Sequence, residues 1–146
     1  MAGLDANTPI PTDLVVHGAS RVLEIAYADG RRFRLPFEFL RVHSPSAEVR
    51  GHGPGQEVLQ VGKRDVDIVS VEGVGNYAIQ PRFSDGHATG IYSWDYLLHL
   101  GEQQDRLWAE YLAKLQAAGA SRDPAPAPGG PDGDAPAPMA SKEVRR

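Results

Sequence analysis

The residues best suited to bind a ligand fall into two groups along the chain. The first group combines imidazole, hydroxyl, carboxylate and guanidinium side chains: His43, Ser44, Ser46, Glu48, Arg50 and His52. The second group is Asp85 with His87. These side chains form hydrogen bonds, and imidazole and carboxylate groups also bind metals. We predict that the two groups form one binding surface, because loops on a rigid sheet usually carry binding residues.

A metal site would have to be built from these histidines and carboxylates. The chain has no cysteine, which excludes thiolate ligands, disulfides and thiol redox chemistry. A stretch with Pro and Gly separates His43 from His52. The two histidines therefore lack the close spacing that is typical of metal ligands. We therefore predict no metal and no cofactor. The alternative is an iron or zinc protein that binds the metal through His43, His52 and His87.

No enzyme motif accompanies these residues. The sequence lacks a Gly-Lys-Ser/Thr phosphate-binding loop and a nucleophile elbow. It also lacks the His-x-Asp motif with a distant histidine that binds iron in non-haem oxygenases. We predict that the protein has no catalytic residues and is not an enzyme.

Length and composition indicate one packed domain. The chain has 146 residues, of which 41% are hydrophobic and 23% are charged. Its net charge of -4 predicts no DNA partner and no membrane partner. A basic cluster could bind RNA, but we expect these side chains to pair with Glu24 and Glu38 instead: Arg31, Arg32, Arg34 and Arg41. The chain shows no signal-peptide pattern and no apolar run of membrane-spanning length, so the predicted location is the cytoplasm.

The periodicity of apolar residues predicts the elements that position the two groups. Alternation predicts strands at residues 21–27, 31–35, 66–71, 76–83 and 87–92. Asp29-Gly30 predicts a type I′ turn, and Ser84-Asp85-Gly86 predicts a second hairpin turn that resembles the first.

Helical spacing appears in two places. It predicts a short helix at residues 36–42, and one or two helices at residues 93–116 with a break near Gly101 and a C-cap at Gly119. Residues 43–55 are expected to be irregular. The predicted fold class is α+β. We expect a small, mainly antiparallel β-sheet domain with a short helix after the first hairpin and one or two C-terminal helices.

Composition also predicts the domain boundaries. Residues 1–9 are expected to be a flexible N-terminus, and residues 10–118 the folded domain. Residues 119–146 are rich in Pro, Ala and Gly with few large apolar side chains. Such a segment cannot bury enough apolar surface to offset its ordering entropy, so we predict a disordered tail.

Two sequence segments resemble a known family. Leu40-Arg41-Val42-His43-Ser44-Pro45-Ser46-Ala47-Glu48-Val49 is similar to a segment of the gamma-butyrobetaine hydroxylase N-terminal domain. That segment reads Leu-Arg, two variable residues, Cys-Pro-Cys, two more residues and Cys. Asp85-Gly86-His87, followed by Trp94 and Leu97, is similar to a second signature of the family. The resemblance implies the fold of that domain over residues 14–100.

The resemblance also implies what this chain has lost. In the hydroxylase, three cysteines and a histidine hold a structural zinc ion. Ser44, Ser46 and Val49 stand at the cysteine positions and His87 at the histidine position. Hydroxyl and isopropyl groups do not replace thiolates, so we expect the zinc to be lost. Hydrogen bonds from the two serines to nearby backbone would then hold the loop.

The function implied by the resemblance is that of an accessory module. In full-length hydroxylases the comparable domain lies beside the catalytic domain and contributes to dimer contacts, and the free-standing bacterial domains have no settled activity. By this analogy we predict a non-catalytic module that binds a protein partner or self-associates.

Overall fold

Two three-stranded antiparallel sheets form the framework of the chain. A computed structural model describes residues 8–51 and 57–124. Its elements are β1 (Asp13–His17), β2 (Val22–Ala26), β3 (Arg32–Pro36), α1 (Phe37–Val42), α2 (Ala47–Arg50), β4 (Ile68–Val74), β5 (Ala78–Phe83), β6 (Tyr92–Ser93), α3 (Trp94–Glu102) and α4 (Gln104–Ala118). One sheet has the strand order β1-β2-β3, and the other has the order β4-β5-β6. The predicted α+β fold, with mainly antiparallel strands, is confirmed.

The turn between β2 and β3 differs from its prediction. The Gly30 N–H donates to the Tyr27 carbonyl at 3.1 Å, and the Tyr27 N–H donates to the Arg31 carbonyl at 2.9 Å. Gly30 has a φ of 95°, whereas Arg21 is the one described non-glycine residue with positive φ. A type I′ turn would require positive φ at Asp29 as well, so that prediction is wrong. The chain forms a three-residue loop that needs only one left-handed residue.

The same turn recurs after β5. The Gly86 N–H donates to the Phe83 carbonyl at 3.0 Å, and the Phe83 N–H donates to the His87 carbonyl at 2.9 Å. Gly86 has a φ of 93°. Each sheet ends in a strand that continues directly into a helix, β3 into α1 and β6 into α3. The sequence similarity of the two turns therefore reflects two units with the same order of elements, three strands and a helix.

The strand predicted at residues 87–92 is much shorter in the structure. Only Tyr92 and Ser93 pair with β5. The side chains of His87 and Thr89 hydrogen bond to the loop before α2. A Cβ atom on Gly90 would lie 2.4 Å from the Ser44 hydroxyl oxygen. Residues 87–91 are thus used for packing against that loop, which prevents them from following β5.

The core lies between the two sheets and the helices α1 and α3. Its members are almost fully buried apolar side chains: Leu23, Ile25, Leu35, Phe37, Phe39, Leu40, Ile68, Phe83, Tyr92, Leu97 and Leu100. Both sheets and both helices contribute, so the core fixes the β3–α1 and β6–α3 connections in place.

Gly101 lies within α3, and the break between the two C-terminal helices is at Gln103. A Cβ atom on Gly101 would lie 2.5 Å from ring atoms of Phe33. Helix propensity alone predicts that Gly101→Ala stabilises by up to ~1 kcal/mol. We expect the opposite sign, a loss of ~1–3 kcal/mol, because the Phe33 ring must move. Urea denaturation of the variant tests this, and a raised midpoint would contradict it.

The chain returns to the domain after α4. The Gly62 N–H donates to the Ser121 carbonyl, and the Arg64 N–H donates to the Arg122 carbonyl, both at 3.0 Å. The Arg122 guanidinium donates to both carboxylate oxygens of Glu38, at 2.7 and 2.8 Å. Glu38 is buried, with 7% of its surface exposed. These contacts attach the residues after α4 to α1 and to residues 62–64.

Residues 119–124 of the predicted disordered tail therefore make contacts with the domain that the prediction did not include. Composition did not show that Arg122 reaches a buried carboxylate. Residues 125–146 lie outside the described residues, as do residues 1–7 of the predicted flexible N-terminus. For these two segments the sequence-based expectation stays a prediction.

Candidate functional site

A buried hydrogen-bond network joins the two predicted groups of residues. The Ser44 hydroxyl lies 2.8 Å from Nε2 of His87 and accepts the Ser46 N–H at 3.2 Å. The Ser46 hydroxyl caps α2 by accepting the Glu48 N–H at 3.1 Å, and it lies 2.8 Å from the Thr89 hydroxyl. The serines therefore hold the loop through backbone groups, as predicted, and also through the side chains of His87 and Thr89.

Ser44, His87 and Glu48 have the separations of a catalytic triad. Nδ1 of His87 lies 3.0 Å from a Glu48 carboxylate oxygen. Because a carboxylate accepts hydrogen bonds, Nδ1 of the neutral ring carries the proton and Nε2 accepts from the Ser44 hydroxyl. The exposure of these residues does not suit catalysis, because the nucleophile of a triad must be accessible to the substrate. Ser44 is 1% exposed, so a substrate cannot reach its oxygen, while the Glu48 side chain is 64% exposed.

Asp85 connects this network to two cations. Its carboxylate accepts from Nε of Arg41 at 2.9 Å and from Nζ of Lys63 at 2.6 Å. Its other oxygen accepts the His87 N–H at 3.1 Å. Burial alone would raise the pKa of Asp85, but the hydrogen bonds from Lys63 and His87 and the charge of Arg41 lower it to about 2. Asp85 thus positions His87 and neutralises the buried Arg41.

The stability of the domain should depend on pH through two histidines. Burial lowers the pKa of His43, and burial with the charge of Arg41 lowers the pKa of His87 against the opposing effect of Glu48. The unfolded chain therefore binds more protons below the ordinary histidine pKa of 6.5. We expect the free energy of unfolding to fall as the pH drops below ~6.5.

Urea denaturation between about pH 7.5 and about pH 4.5 measures this dependence. His43→Gln and His87→Gln should each flatten the profile, and a flat wild-type profile would contradict the expectation. Asp85 contributes in a separate window, because its lowered pKa gives stability that is present above pH 3.8 and lost as the pH falls to about 2.

His43 lies on another surface of the loop. Its Nδ1 lies 2.9 Å from the Phe39 carbonyl, and its ring packs against Phe39 and Tyr111. Together with Arg50 it lines a cleft of roughly 800 Å³, which is within the range of ligand pockets. We call this the α2–α4 cleft, and its walls include Val49, Arg50, Leu59, Tyr96, Tyr111 and Lys114.

Backbone and side-chain contacts hold the walls of the α2–α4 cleft together. The Val58 N–H donates to the Val49 carbonyl at 2.8 Å, which attaches residues 57–60 to α2. The Tyr111 hydroxyl donates to the Gln60 carbonyl at 2.6 Å. The Arg50 guanidinium lies 5.1 Å from the ring centre of Tyr96. The cleft is therefore formed by α2, residues 57–60, α3 and α4.

The residues of the predicted binding surface therefore do not lie on one surface: some belong to the buried network and others line the α2–α4 cleft. Ser44, Ser46 and His87 are buried, and they hydrogen bond to one another and to Thr89. Their predicted role in binding a partner stays a prediction. His43 and Arg50 line the α2–α4 cleft. Glu48 and Asp85 belong to the buried network through His87, and His52 lies outside the described residues.

Zinc does not fit the residues that replace the family's ligands. Val49 has no donor atom, and both ring nitrogens of His87 are already hydrogen bonded. Within residues 8–51 and 57–124, no group of three or more His, Asp or Glu side chains could hold a metal ion. Of the alternative ligands, His43 contacts Phe39 and Tyr111, none of the described contacts joins it to His87, and His52 lies outside the described residues, so that alternative stays a prediction.

All four arginines of the basic cluster form ion pairs, and the buried Arg41 pairs with Asp85. Arg32 and Arg34 both pair with Glu24, as predicted. Arg31 pairs with Asp29 and Glu102. The predicted pairing with Glu38 is wrong, because Glu38 points to Arg122.

Sequence reasoning missed several residues of the cleft. Tyr96, Tyr111 and Lys114 lie on helices, where their helical spacing indicated packing and a helix end rather than a binding site. They are far in sequence from Arg50, so no local motif connects them. The one available signal was that Lys114 carries a charge beside the apolar stripe of α4.

The comparisons with known proteins place the chain in a family. None of the curated proteins matches it. No helix within the described residues has the length and hydrophobicity needed to cross a membrane. Two structures determined by NMR in solution are each 48% identical to the chain, with TM-scores of 0.72 and 0.71. Each match covers 85% of this chain, and 98% and 92% of the respective relatives.

A crystal structure from Acidithiobacillus ferrooxidans is also similar. It is a protein of unknown function of the DUF971 family, 42% identical, with a TM-score of 0.54 over 67% of this chain and 98% of that chain. The sequence profile of the family described as gamma-butyrobetaine hydroxylase-like, N-terminal, matches residues 14–98. This range contains both segments that carried the resemblance, and the chain therefore belongs to the gamma-butyrobetaine hydroxylase-like N-terminal family.

Proposed function

We propose that this chain is a non-catalytic module that binds a short segment of a partner protein in the α2–α4 cleft. The partner segment would present a large apolar side chain together with a carboxylate. The observation that carries the proposal is that two cations without an ion-pair partner among the described residues, Arg50 and Lys114, line a cleft that also has apolar and aromatic walls.

The charges of the cleft support an acidic partner. Three cationic side chains within the described residues form no ion pair: Arg50, Arg82 and Lys114. Two of the three, Arg50 and Lys114, line the cleft. Two carboxylates, Glu57 and Glu110, also line the cleft; Glu110 is paired with Arg106 at 2.9 Å, and no described ion pair joins Glu57 to either cation. A ligand carboxylate could therefore pair with two cations that form no ion pair with a described side chain.

The apolar lining supports an anchoring side chain in the same segment. Val42, Val49 and Tyr111 line the cleft and are buried, and Leu59 packs against the cluster that contains Val42 and Tyr111. Val58, at the rim, is about half exposed. Interfaces take most of their binding energy from a few residues that fill well-packed pockets, while the surrounding contacts exclude water.

Selection from a display library of random peptides tests this function. We expect the selected peptides to combine Asp or Glu with a large apolar residue. Arg50→Glu combined with Lys114→Glu should weaken binding of a selected peptide by about tenfold or more, measured by fluorescence anisotropy. The matched control is Arg82→Glu, which changes the third unpaired cation and should leave the affinity unchanged. Equal weakening by the control, or peptides without acidic residues, would overturn the proposal.

We also propose that the domain folds and binds without metal, since the buried network already satisfies the groups that a metal would bind. A strong chelator should leave the melting midpoint unchanged, whereas a zinc-dependent fold loses metal-binding energy of roughly 10 kcal/mol or more. Metal analysis of the untagged protein should find less than stoichiometric iron or zinc. Stoichiometric metal together with a lower midpoint after chelation would contradict metal independence.

A further inference from the structure

We propose that two copies of this chain associate through the outer edge of β1. The two β1 strands would run antiparallel, with a two-fold axis at Val15, and would join the two β1-β2-β3 sheets into one six-stranded sheet. This self-association uses a surface separate from the α2–α4 cleft and does not depend on the proposed function.

The hydrogen-bond pattern of the sheet shows which groups of β1 are free for such pairing. The Tyr27 N–H donates to Arg31, and the Phe37 N–H donates to Arg21. The β2–β3 register between these two pairs is uninterrupted. Antiparallel ladders alternate, so the odd-numbered residues of β2 bond to β3 and its even-numbered residues bond to β1.

The even-numbered residues of β2 are paired with Asp13, Val15 and His17. These three residues therefore direct their backbone groups toward β2. Leu14 and Val16 direct their N–H and C=O groups toward the outer edge, where no strand of the described chain pairs with them. An unpaired edge of this kind is a template for another strand.

The sequence of β1 is complementary to itself in the antiparallel direction. With the axis at Val15, Leu14 lies opposite Val16 of the second copy, and these outward-facing residues would exchange hydrogen bonds in two equivalent pairs. Asp13 lies opposite His17 of the second copy at both ends. Nε2 of His17 lies 2.7 Å from Glu24 of its own chain, so Asp13 of the second copy would meet the Nδ1 side of the imidazole. Each end thus places a carboxylate beside an imidazole, which fits a second copy of this chain in one register.

The exposure of Val16 also supports pairing at the outer edge of β1. Val16 lies in register with Leu23 and Leu35, which are almost fully buried on the core face of the sheet. Val16 itself is 38% exposed, and no strand of the described residues pairs with β1 on its outer side. A second β1 would place Leu14 of the other copy beside it and extend the apolar face.

Of the other sheet edges that the structure describes, β6 has only two residues, Tyr92 and Ser93, and β3 and β4 are protected. β4 has a register irregularity between Ile68 and Ser70, and such bulges discourage pairing. At β3 the Arg34 carbonyl accepts from the Gln104 side chain at 3.2 Å. β1 contains neither a bulge nor a Lys or Pro residue. Its outer edge is therefore the one suited to a second copy.

Because the chain has no cysteine, single cysteines can test this geometry cleanly. At the axis, the two Val15 Cα atoms would be about 4.5 Å apart, which is within the range of disulfides. We expect Val15→Cys to give a covalent dimer when the full chain is incubated with oxidised glutathione. The matched control is Val69→Cys, an exposed valine on β4, which should give at least tenfold less dimer.

Sedimentation of the cysteine-free protein provides the second measurement. The mass should rise above that of one chain with increasing concentration, and Val16→Lys should abolish the rise while Val69→Lys should not. Equal cross-linking of the two cysteine variants would overturn the proposal. So would a wild-type mass of one chain at every concentration, or association that is insensitive to Val16→Lys.

Discussion

Deletion of residues 119–146 should lower the melting midpoint by several degrees, because it removes the partner of a buried carboxylate. The Arg122 guanidinium makes two hydrogen bonds to Glu38, which is almost fully buried. Removing one member of a buried ion pair typically costs ~3–5 kcal/mol. The Arg122 side chain is 28% exposed, so water partly screens the pair and we expect about 2–4 kcal/mol.

The single variant Arg122→Ala isolates this effect from the loss of the backbone contacts. It also removes the guanidinium from the face of Trp108, which lies 5.1 Å away. Arg64→Ala is the matched control, since Arg64 pairs with the exposed Asp123 and should cost less than about 1 kcal/mol. Deletion of residues 125–146 should leave the midpoint nearly unchanged, as their composition predicts. Equal midpoints for Arg122→Ala and Arg64→Ala would contradict the expected role of Glu38.

His87→Ala should have the second large effect, a loss of about 2–4 kcal/mol in the free energy of unfolding. The substitution opens a cavity beside Phe83, whose ring centre lies 6.1 Å from that of His87. It also leaves the buried Ser44 hydroxyl without the acceptor at 2.8 Å. Neither the cavity nor the lost acceptor involves a metal, so the loss in the free energy of unfolding should be the same with and without a chelator.

The control for this prediction is Glu48→Gln. It changes the exposed partner on the other side of the ring and should cost less than about 1 kcal/mol, since surface ion pairs contribute little. Chemical denaturation of the three proteins, each with and without chelator, gives all the required differences. If His87→Ala were as stable as the wild type, the network would not hold the loop before α2. If the loss appeared only without chelator, a bound metal would be its cause.

The elements with long periodic patterns could be predicted from the sequence, and those formed by tertiary contacts could not. The alternation at residues 21–35 and the helical spacing after Ser93 report burial on one face of a local element, and both are confirmed. Leu14, Val15 and Val16 follow one another without alternation, so β1 gave no separate signal. α2 lies in a segment with the composition of a loop, and it forms because Ser46 caps it.

The candidate site, too, could be predicted from the sequence only in part. The sequence placed Ser44, Ser46 and His87 together through the resemblance, and the structure joins them. Their burial could not be read from the sequence, because polar side chains are usually exposed unless a hydrogen-bond partner lies nearby in space. The α2–α4 cleft could not be predicted from the sequence for a related reason. Its walls come from α2, residues 57–60, α3 and α4, and only the folded chain brings them together.

The contact between Glu38 and Arg122 also bears on how long the folded state persists. The two residues are 84 positions apart in the chain, whereas the strands of the first sheet are joined by short turns. Contacts that close long loops tend to form late in folding, after local hairpins. We expect Arg122→Ala to leave the refolding rate nearly unchanged and to accelerate unfolding. The ion pair would then slow unfolding, and so it would set the lifetime of the native domain and its resistance to proteolysis.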